Sequence, residues 1–211
     1  MGRNIVIVGN GSAPPCAAAM IDASDLVIRF NDCRSFHNTG TRTDIVAVCN
    51  TGRPARAMTS SPLWQNHPAV SSASSIWCVR NGQKFRELRD DLRESHPELD
   101  DFCDDMTPDF AAFAAATGKA LTVIPRDVHD RLDRDLARVG TQRYVVPSSG
   151  LLAIGYVLDE IAGPDDTIHV TGFDHQGWDG HPFDAERRLV NMLVASGRLN
   201  RLPVHAGRRC A

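Results

Sequence analysis

The segment that decides the fold is Asn4-Ile-Val-Ile-Val-Gly-Asn-Gly-Ser12, near the start of a chain of 211 residues. Its unbroken β-branched run, residues 5–8, predicts a strand buried on both faces, and the glycine turn behind it ends the strand. A buried strand that runs into a glycine turn is typical of the first unit of a nucleotide-binding α/β protein. By itself the turn is equally consistent with a plain loop, since it matches neither GxGxxG nor a P-loop.

Strands and helices alternate along the rest of the chain. The strands are predicted at residues 26–30, 45–49, 76–79, 120–124, 168–171 and, at one edge, 202–204; the helices are predicted at 53–58, 84–94, 128–139, 151–161 and 183–196. Residues 59–75 are expected to form an irregular loop. Residues 90–117 are expected to be long and irregular, with a loop or a short surface helix at 90–109. This order predicts one domain, residues 1–211, built as a three-layer α/β/α sandwich around a largely parallel sheet.

Composition narrows the classes of function. The net charge is −3, so the chain has no overall basic field for nucleic acid. No apolar run reaches the roughly 20 residues that span a bilayer, and no signal-peptide pattern precedes the first strand. We therefore expect a cytoplasmic protein whose membrane contact, if any, is peripheral. The sequence does not determine its oligomeric state.

Two kinds of buried side chain are expected in the strands. Cys33, Cys49 and Cys78 lie in or beside apolar segments and should be buried free thiols. Arg29, inside a strand, should pair with a buried or ligand-side acid.

Three segments of small and polar residues follow strand-like apolar runs: 9–12, 147–150 after the run at 144–146, and 172–181. Ligands of parallel sheets bind beyond the carboxyl ends of the strands, so we expect these segments to form one cleft. Small residues let main-chain N–H groups approach a phosphate, and a helix N-terminus adds to this. The candidate binding residues are Gly9, Asn10, Gly11, Ser12, Ser148, Ser149, Gly150, Asp174 and His175. The alternative for Ser148 and Ser149 is a helix N-cap, which does not exclude binding.

His181 is the candidate general base. It leads into a predicted helix with Glu186 near its first turn, and a nearby carboxylate raises the basicity of an imidazole and fixes its tautomer. Such a histidine can take the proton of an incoming hydroxyl group at neutral pH. The alternatives are a polar surface histidine and, for Glu186, a favourable charge at a helix N-terminus.

The order of these segments resembles the sialyltransferases of glycosyltransferase family 29. Their large motif is similar to residues 7–12, 21–31 and 40–44, their small motif to 147–152 and the strand ending at Gly172-Phe173, and their His-x4-Glu motif to His181-Pro-Phe-Asp-Ala-Glu186. The chain departs from the animal members in cysteine placement. Asn4 lies in the region of the first expected Cys, and no Cys adjoins Pro147-Ser-Ser-Gly150.

The resemblance implies a Rossmann-like nucleotide-sugar transferase core of the GT-A variant. It implies an inverting, metal-independent transfer of sialic acid, or of a related ulosonic acid such as Kdo, from a CMP-sugar donor to a glycan acceptor. His181 would be the catalytic base, assisted by Glu186. The implied donor-binding residues are Gly9, Asn10, Gly11, Ser12, Asn31, Ser148, Ser149, Gly150, Asp174 and His175. A bacterial enzyme of polysaccharide biosynthesis without a cofactor is the expectation.

Other functions remain open at this point. The main alternative is a catalytically inactive nucleotide-binding accessory protein that retains the fold. A hydrolase that uses Ser148 or Ser149 with His181 lacks the Gly-x-Ser-x-Gly elbow. Asp133-Arg134-Asp135 has the form of a metal-binding DxD, but its helical surroundings predict a solvated helix face.

Overall fold

The computed structural model describes residues 2–14 and 16–202. Within them lies a parallel sheet of seven strands in the order β5-β4-β3-β2-β1-β6-β7. The strands are β1 (Asn4–Val8), β2 (Leu26–Phe30), β3 (Ile45–Val48), β4 (Ser75–Cys78), β5 (Ala120–Val123), β6 (Thr167–Thr171) and β7 (Asn200–Arg201).

Helices connect these strands. They are α1 (Ala17–Asp22), α2 (Gly52–Thr59), α3 (Pro62–Gln65), α4 (Pro68–Ser72), α5 (Gly82–Ser95), α6 (Thr107–Thr117), α7 (Arg126–Arg138), α8 (Ser149–Tyr156) and α9 (Phe183–Ala195). A 3-10 turn (Pro97–Leu99) follows α5, and a π-helical turn (Val157–Ile161) extends α8. None of the helices in the described part of the chain has the length and apolar character needed to cross a bilayer.

The α/β prediction is confirmed, and the core shows why the sandwich has three layers. Ile5 and Ile7 of β1 pack in a cluster with α7, α8 and α9 on one face of the sheet. Val6 and Val8 point the opposite way and pack with Ile21 of α1. Because successive side chains of a strand alternate between faces, an all-apolar strand requires helices on both sides.

The irregular stretches expected at 59–75 and 90–117 are largely helical, which corrects those expectations. Pro62 and Pro68 stand in the first turns of α3 and α4, where proline is tolerated. Helix α6 ends at Gly118, whose φ of 68° is left-handed. The predicted edge strand at 202–204 is instead β7, which ends at Arg201, and residues 203–204 lie outside the described residues.

Cys33, Cys49 and Cys78 are buried free thiols, as predicted. Burial raises the pKa of both Cys33 and Cys78 to about 12. Arg29 is fully buried, but its partners are threonine hydroxyls and carbonyl oxygens rather than an acid, so that expectation is wrong. Neutral acceptors suffice because they bond to all three nitrogens of its planar group.

Candidate functional site

The candidate site lies where the strand order reverses. Strand β1 is flanked by β2 on one side and β6 on the other, and open α/β sheets bind ligands at such a point. A cavity of about 440 Å³ opens at the carboxyl ends of β1 and β6, and is called the cleft below. Its lining includes Gly9, Asn10, Gly11, Asn31, Ser148, Ser149, Gly150, Asp174, His175, His181 and Glu186. Ser12 lines a neighbouring cavity. The predicted turns and His181 therefore meet, and ligand binding by them stays a prediction.

The glycines of the first turn let two loops touch. A Cβ on Gly9 would lie 2.2 Å from the carbonyl oxygen of Gly172. The N–H of Gly9 donates to Thr171 O at 2.8 Å, and the N–H of Gly11 donates to Gly172 O at 2.9 Å. These two N–H groups are used within the protein, so the close approach of the loops accounts for the glycines without a phosphate.

Asp174 accepts a hydrogen bond from the same turn, residues 9–12. Its Oδ2 accepts the main-chain N–H of Ser12 at 3.0 Å, and a Cβ on Gly11 would lie 2.5 Å from that oxygen. A carboxylate on the turn's amide takes the position that a bound anion would need. The geometry of Gly11 and Ser12 thus favours a plain turn held by Asp174.

Glu186 contacts Ser148 rather than His181. Its two carboxylate oxygens accept the N–H of Ser148 at 2.7 Å and the hydroxyl at 2.6 Å. The same hydroxyl oxygen accepts the N–H of Leu151 at 3.2 Å, which makes Ser148 the N-cap of α8. Glu186 is 2% exposed, and burial raises its pKa. The expected carboxylate–imidazole pair is therefore absent among the described residues, because the helix start satisfies this carboxylate.

His181 is a neutral imidazole held by the main chain. Its Nδ1 lies 2.9 Å from the carbonyl oxygen of Val146, which can only accept, so the proton sits on Nδ1. Burial lowers the pKa of His181 to about 4, and the charge of Arg80 acts in the same direction. The raised basicity expected from the sequence is thus wrong. No hydrogen bond to Nε2 is found in the described part of the chain, and the ring lines the cleft.

Two buried polar atoms of the cleft have no partner among the residues that the structure describes: Asn10 Oδ1 and His175 Nε2. The Nδ2 of Asn10 donates to Phe30 O at 3.1 Å and to Asp32 Oδ1 at 3.3 Å. His175 has a φ of 49°, and burial lowers its pKa, so it is an acceptor or a neutral donor. Buried polar atoms are normally paired, so these two atoms distinguish this part of the cleft.

Asn31 and Gly150 have structural partners. Asn31 Oδ1 accepts the N–H of Cys49 at 2.8 Å, which ties the ends of β2 and β3 together. A Cβ on Gly150 would lie 2.5 Å from Cε1 of Phe173, so glycine lets this ring pack on the first turn of α8. Ser149, the first residue of α8, lines the cleft and an adjoining cavity.

Sequence reasoning missed Phe30, Phe173 and Arg80. The rings of Phe30 and Phe173 meet edge to face at 5.9 Å and form an apolar wall of the cleft. Arg80 lines the adjoining cavity. Each lies at or just beyond the carboxyl end of a strand. This position in the sequence could have indicated that they line the site.

The Asp133-Arg134-Asp135 segment lies on α7. Asp133 pairs with Lys84 and accepts the hydroxyl of Tyr144 at 2.6 Å, and Asp135 pairs with Arg131 at 3.2 Å. Within residues 2–14 and 16–202, no group of three or more His, Cys, Asp or Glu side chains is arranged to hold a metal ion.

The solved structures to which this chain is similar include sialyltransferases. A mammalian sialyltransferase matches at a TM-score of 0.56 and 15% identity, covering 95% of this chain and 69% of that one. The sialyltransferase CstII from Campylobacter jejuni matches at 0.53 and 14%, covering 97% and 82%. At these identities the likeness establishes the fold alone. The chain is thus an α/β protein of the sialyltransferase-like, Rossmann-type fold.

A curated relative identifies the family. The chain is 54% identical over 201 residues to the urease operon 23 kDa accessory protein of Rhizobium meliloti (strain 1021), covering 95% of this chain and 93% of that protein. It belongs to the family of that accessory protein. No protein-family model matches the sequence.

This relative overturns the functional expectation drawn from the sequence motifs. Glycosyl transfer, a CMP-sugar donor, a glycan acceptor and a role in polysaccharide biosynthesis are contradicted, because the 54% identical protein is a urease operon accessory protein. The physical reason for the error is that one fold and its cleft can carry different functions, so motifs that build the fold do not establish an activity. The alternative of an accessory protein on the same fold is the one that this relative favours.

Proposed function

We propose that the protein is a non-catalytic accessory protein in urease production and that its cleft binds a nucleoside monophosphate. The observation that carries the accessory role is the 54% identity to the urease operon 23 kDa accessory protein over nearly the whole of both chains. In this proposal residues 1–211 form one domain that works in the cytoplasm.

The side chains of the cleft support a binding role without catalysis. The hydroxyl of Ser148 bonds to Glu186 and to the N–H of Leu151, which gives it a structural role as the N-cap of α8. With a pKa of about 4 and no carboxylate partner, the His181 imidazole is a weak base at neutral pH.

The choice of ligand rests on the unpartnered atoms of the cleft. Asn10 Oδ1 needs a donor, and His175 Nε2 accepts or donates according to its tautomer. Ribose hydroxyls and base amino groups supply both kinds of partner. The wall of Phe30 and Phe173 suits an apolar base face. CstII of Campylobacter jejuni, which shares the fold, is described as a complex with cytidine-5'-monophosphate.

A gene deletion in a urease-positive host of this protein tests the accessory role. We expect urease activity per urease polypeptide to fall and wild-type complementation to restore it. The His181→Asn variant, which keeps an N–H for Val146 O, should restore it equally well. Unchanged urease activity after deletion would refute the accessory role. Failure of a folded His181→Asn variant that still binds the nucleoside monophosphate would refute a non-catalytic role.

Thermal unfolding tests the ligand separately. The full chain is heated with CMP, UMP, GMP or AMP, because a ligand that binds only the folded state raises Tm. A rise with at least one of the four supports the proposal. No rise with any of them at millimolar concentration excludes a nucleoside monophosphate.

A further inference from the structure

Arg80 is a buried cation at the same edge of the sheet as the cleft. It lies two residues after the end of β4 and is 6% exposed. Its Cζ lies 4.3 Å from the ring centroid of Phe102 and 5.0 Å from that of Phe85. Cation–π contacts at these distances hold the guanidinium in place. They leave its in-plane N–H donors free to bind elsewhere.

Arg29, the other deeply buried arginine described above, makes many more hydrogen bonds than Arg80. The guanidinium of Arg29 makes five hydrogen bonds, to two hydroxyls and three carbonyl oxygens. Among the described residues the guanidinium of Arg80 makes one, from Nη1 to the hydroxyl of Thr51. Arginine carries five N–H donors, so most of those on Arg80 have no protein acceptor.

Acidic groups do not compensate the charge of Arg80. No ion pair to it is found in the described part of the chain. Burial lowers its pKa, and the groups that oppose this shift are the thiols of Cys49 and Cys103. A buried charge without a counter-charge is costly, and a bound anion would remove that cost.

The donors of Arg80 adjoin a cavity of about 370 Å³, called the Arg80 cavity below. The rings of Phe102 and Trp178 line it, with centroids 5.3 Å apart. Its one carboxylate, Asp101, is held by Arg53 at 3.1 Å. The Arg80 cavity shares His181 and Ser149 with the cleft, so a ligand in one lies beside a ligand in the other.

We propose that the Arg80 cavity is a subsite for a small organic oxyanion. The ligand's carboxylate or phosphate binds the guanidinium of Arg80, and its flat apolar part lies against Phe102 and Trp178. Arginine presents paired N–H donors that match both kinds of oxyanion. This inference does not depend on the nucleotide proposed for the cleft.

Calorimetric titration of the full chain at constant ionic strength tests the subsite. The probes are benzoate, phenyl phosphate and the neutral analogue benzyl alcohol. We expect one or both anions to bind more tightly than benzyl alcohol, and the tighter anion identifies a carboxylate or a phosphate ligand. Equal or absent binding of all three probes would overturn the proposal.

Two variants locate the binding. Arg80→Gln should weaken anion binding at least about tenfold, because a charge-assisted pair is lost. Arg93→Gln removes an exposed cation of α5 that is paired with Asp90 and lies outside the Arg80 cavity, so affinity should stay within about twofold. An equal loss in both variants would overturn the assignment to Arg80.

A measurement on the wild-type protein covers the case in which Arg80→Gln does not fold. In a ¹H–¹⁵N spectrum the Nε–Hε signal of Arg80 should shift on saturation with the bound anion and stay in place with benzyl alcohol. The absence of a shift on saturation would show that the anion binds elsewhere.

Discussion

The carboxylate of Glu186 accepts both the N–H and the hydroxyl of Ser148, at 2.7 and 2.6 Å. These residues are 38 positions apart in the sequence, and their contact joins the start of α9 to the start of α8. It uses the carboxylate that a transferase-like motif would place beside His181. The contact therefore holds the walls of the cleft together and leaves the imidazole without an acidic partner.

Loss of this contact should destabilise the fold. We expect Glu186→Ala to lower the free energy of unfolding by about 2–4 kcal/mol, since it leaves buried donors of Ser148 unpaired. Urea unfolding measures this. The control is Asp184→Ala in the same first turn of α9, an exposed residue paired with Arg187, which should change stability by less than about 0.5 kcal/mol. Similar losses in both variants would contradict the structural role of Glu186.

The same carboxylate predicts a pH dependence. Burial raises the pKa of Glu186, so the folded state binds this proton more tightly than the unfolded state. The free energy of unfolding of the wild type, relative to Glu186→Gln, should therefore rise as pH falls from 7 towards the ordinary glutamate pKa. Urea unfolding at pH 7 and pH 5 gives the difference, and a fall instead of a rise would show that the pKa is not raised.

His181 should have the opposite effect. Burial lowers its pKa from 6.5 to about 4, so the unfolded chain takes up a proton between these values that the folded chain does not. Its contribution to stability is present above pH 6.5 and is lost as pH falls towards 4. Long-range ¹H–¹⁵N spectra should show a neutral ring protonated on Nδ1 at pH 6. Between pH 7 and pH 4 the free energy of unfolding should fall less in His181→Asn than in the wild type. A charged His181 at pH 6 would contradict this.

Gly9 tests the close approach of the two loops. A Cβ there would lie 2.2 Å from Gly172 O, so Gly9→Ala forces the main chain apart and should cost about 1–3 kcal/mol. At Gly163 the nearest atom, Asp166 Oδ2, is 3.8 Å from the added Cβ, and Gly163→Ala should be almost neutral. Urea unfolding measures the free energy of unfolding of the two variants. An unchanged value for Gly9→Ala would contradict the close approach of the loops at Gly9 and Gly172.

Asn10 tests the ligand site. Asn10→Ala removes the unpartnered Oδ1, so the rise in Tm produced by a nucleoside monophosphate should shrink by at least half. Asn66→Ala, at an exposed asparagine that directly follows α3 and does not line the cleft, should leave the rise unchanged. Differential scanning fluorimetry compares them, and an undiminished rise in Asn10→Ala would place the ligand away from this atom.

Local sequence patterns were sufficient for most of the sheet. The apolar runs bounded by turn residues predicted β1 to β6 to within about a residue, because a strand buried on both faces has few other ways to satisfy its side chains. Helix α6 was missed because its apolar residues surround the helix and show no amphipathic stripe. The short helices α3 and α4 did carry a signal, namely a proline in each first turn.

The sequence by itself determined the parallel α/β architecture and which segments meet at the carboxyl edge of the sheet, since strand polarity follows from the alternation of strands and helices. Only the tertiary structure decided how those segments are used: Glu186 on Ser148, Asp174 on Ser12, and Arg80 beside a cavity with most of its donors unpaired. Hydrogen-bond partners and burial depend on contacts between residues far apart in the chain, and local periodicity does not encode them.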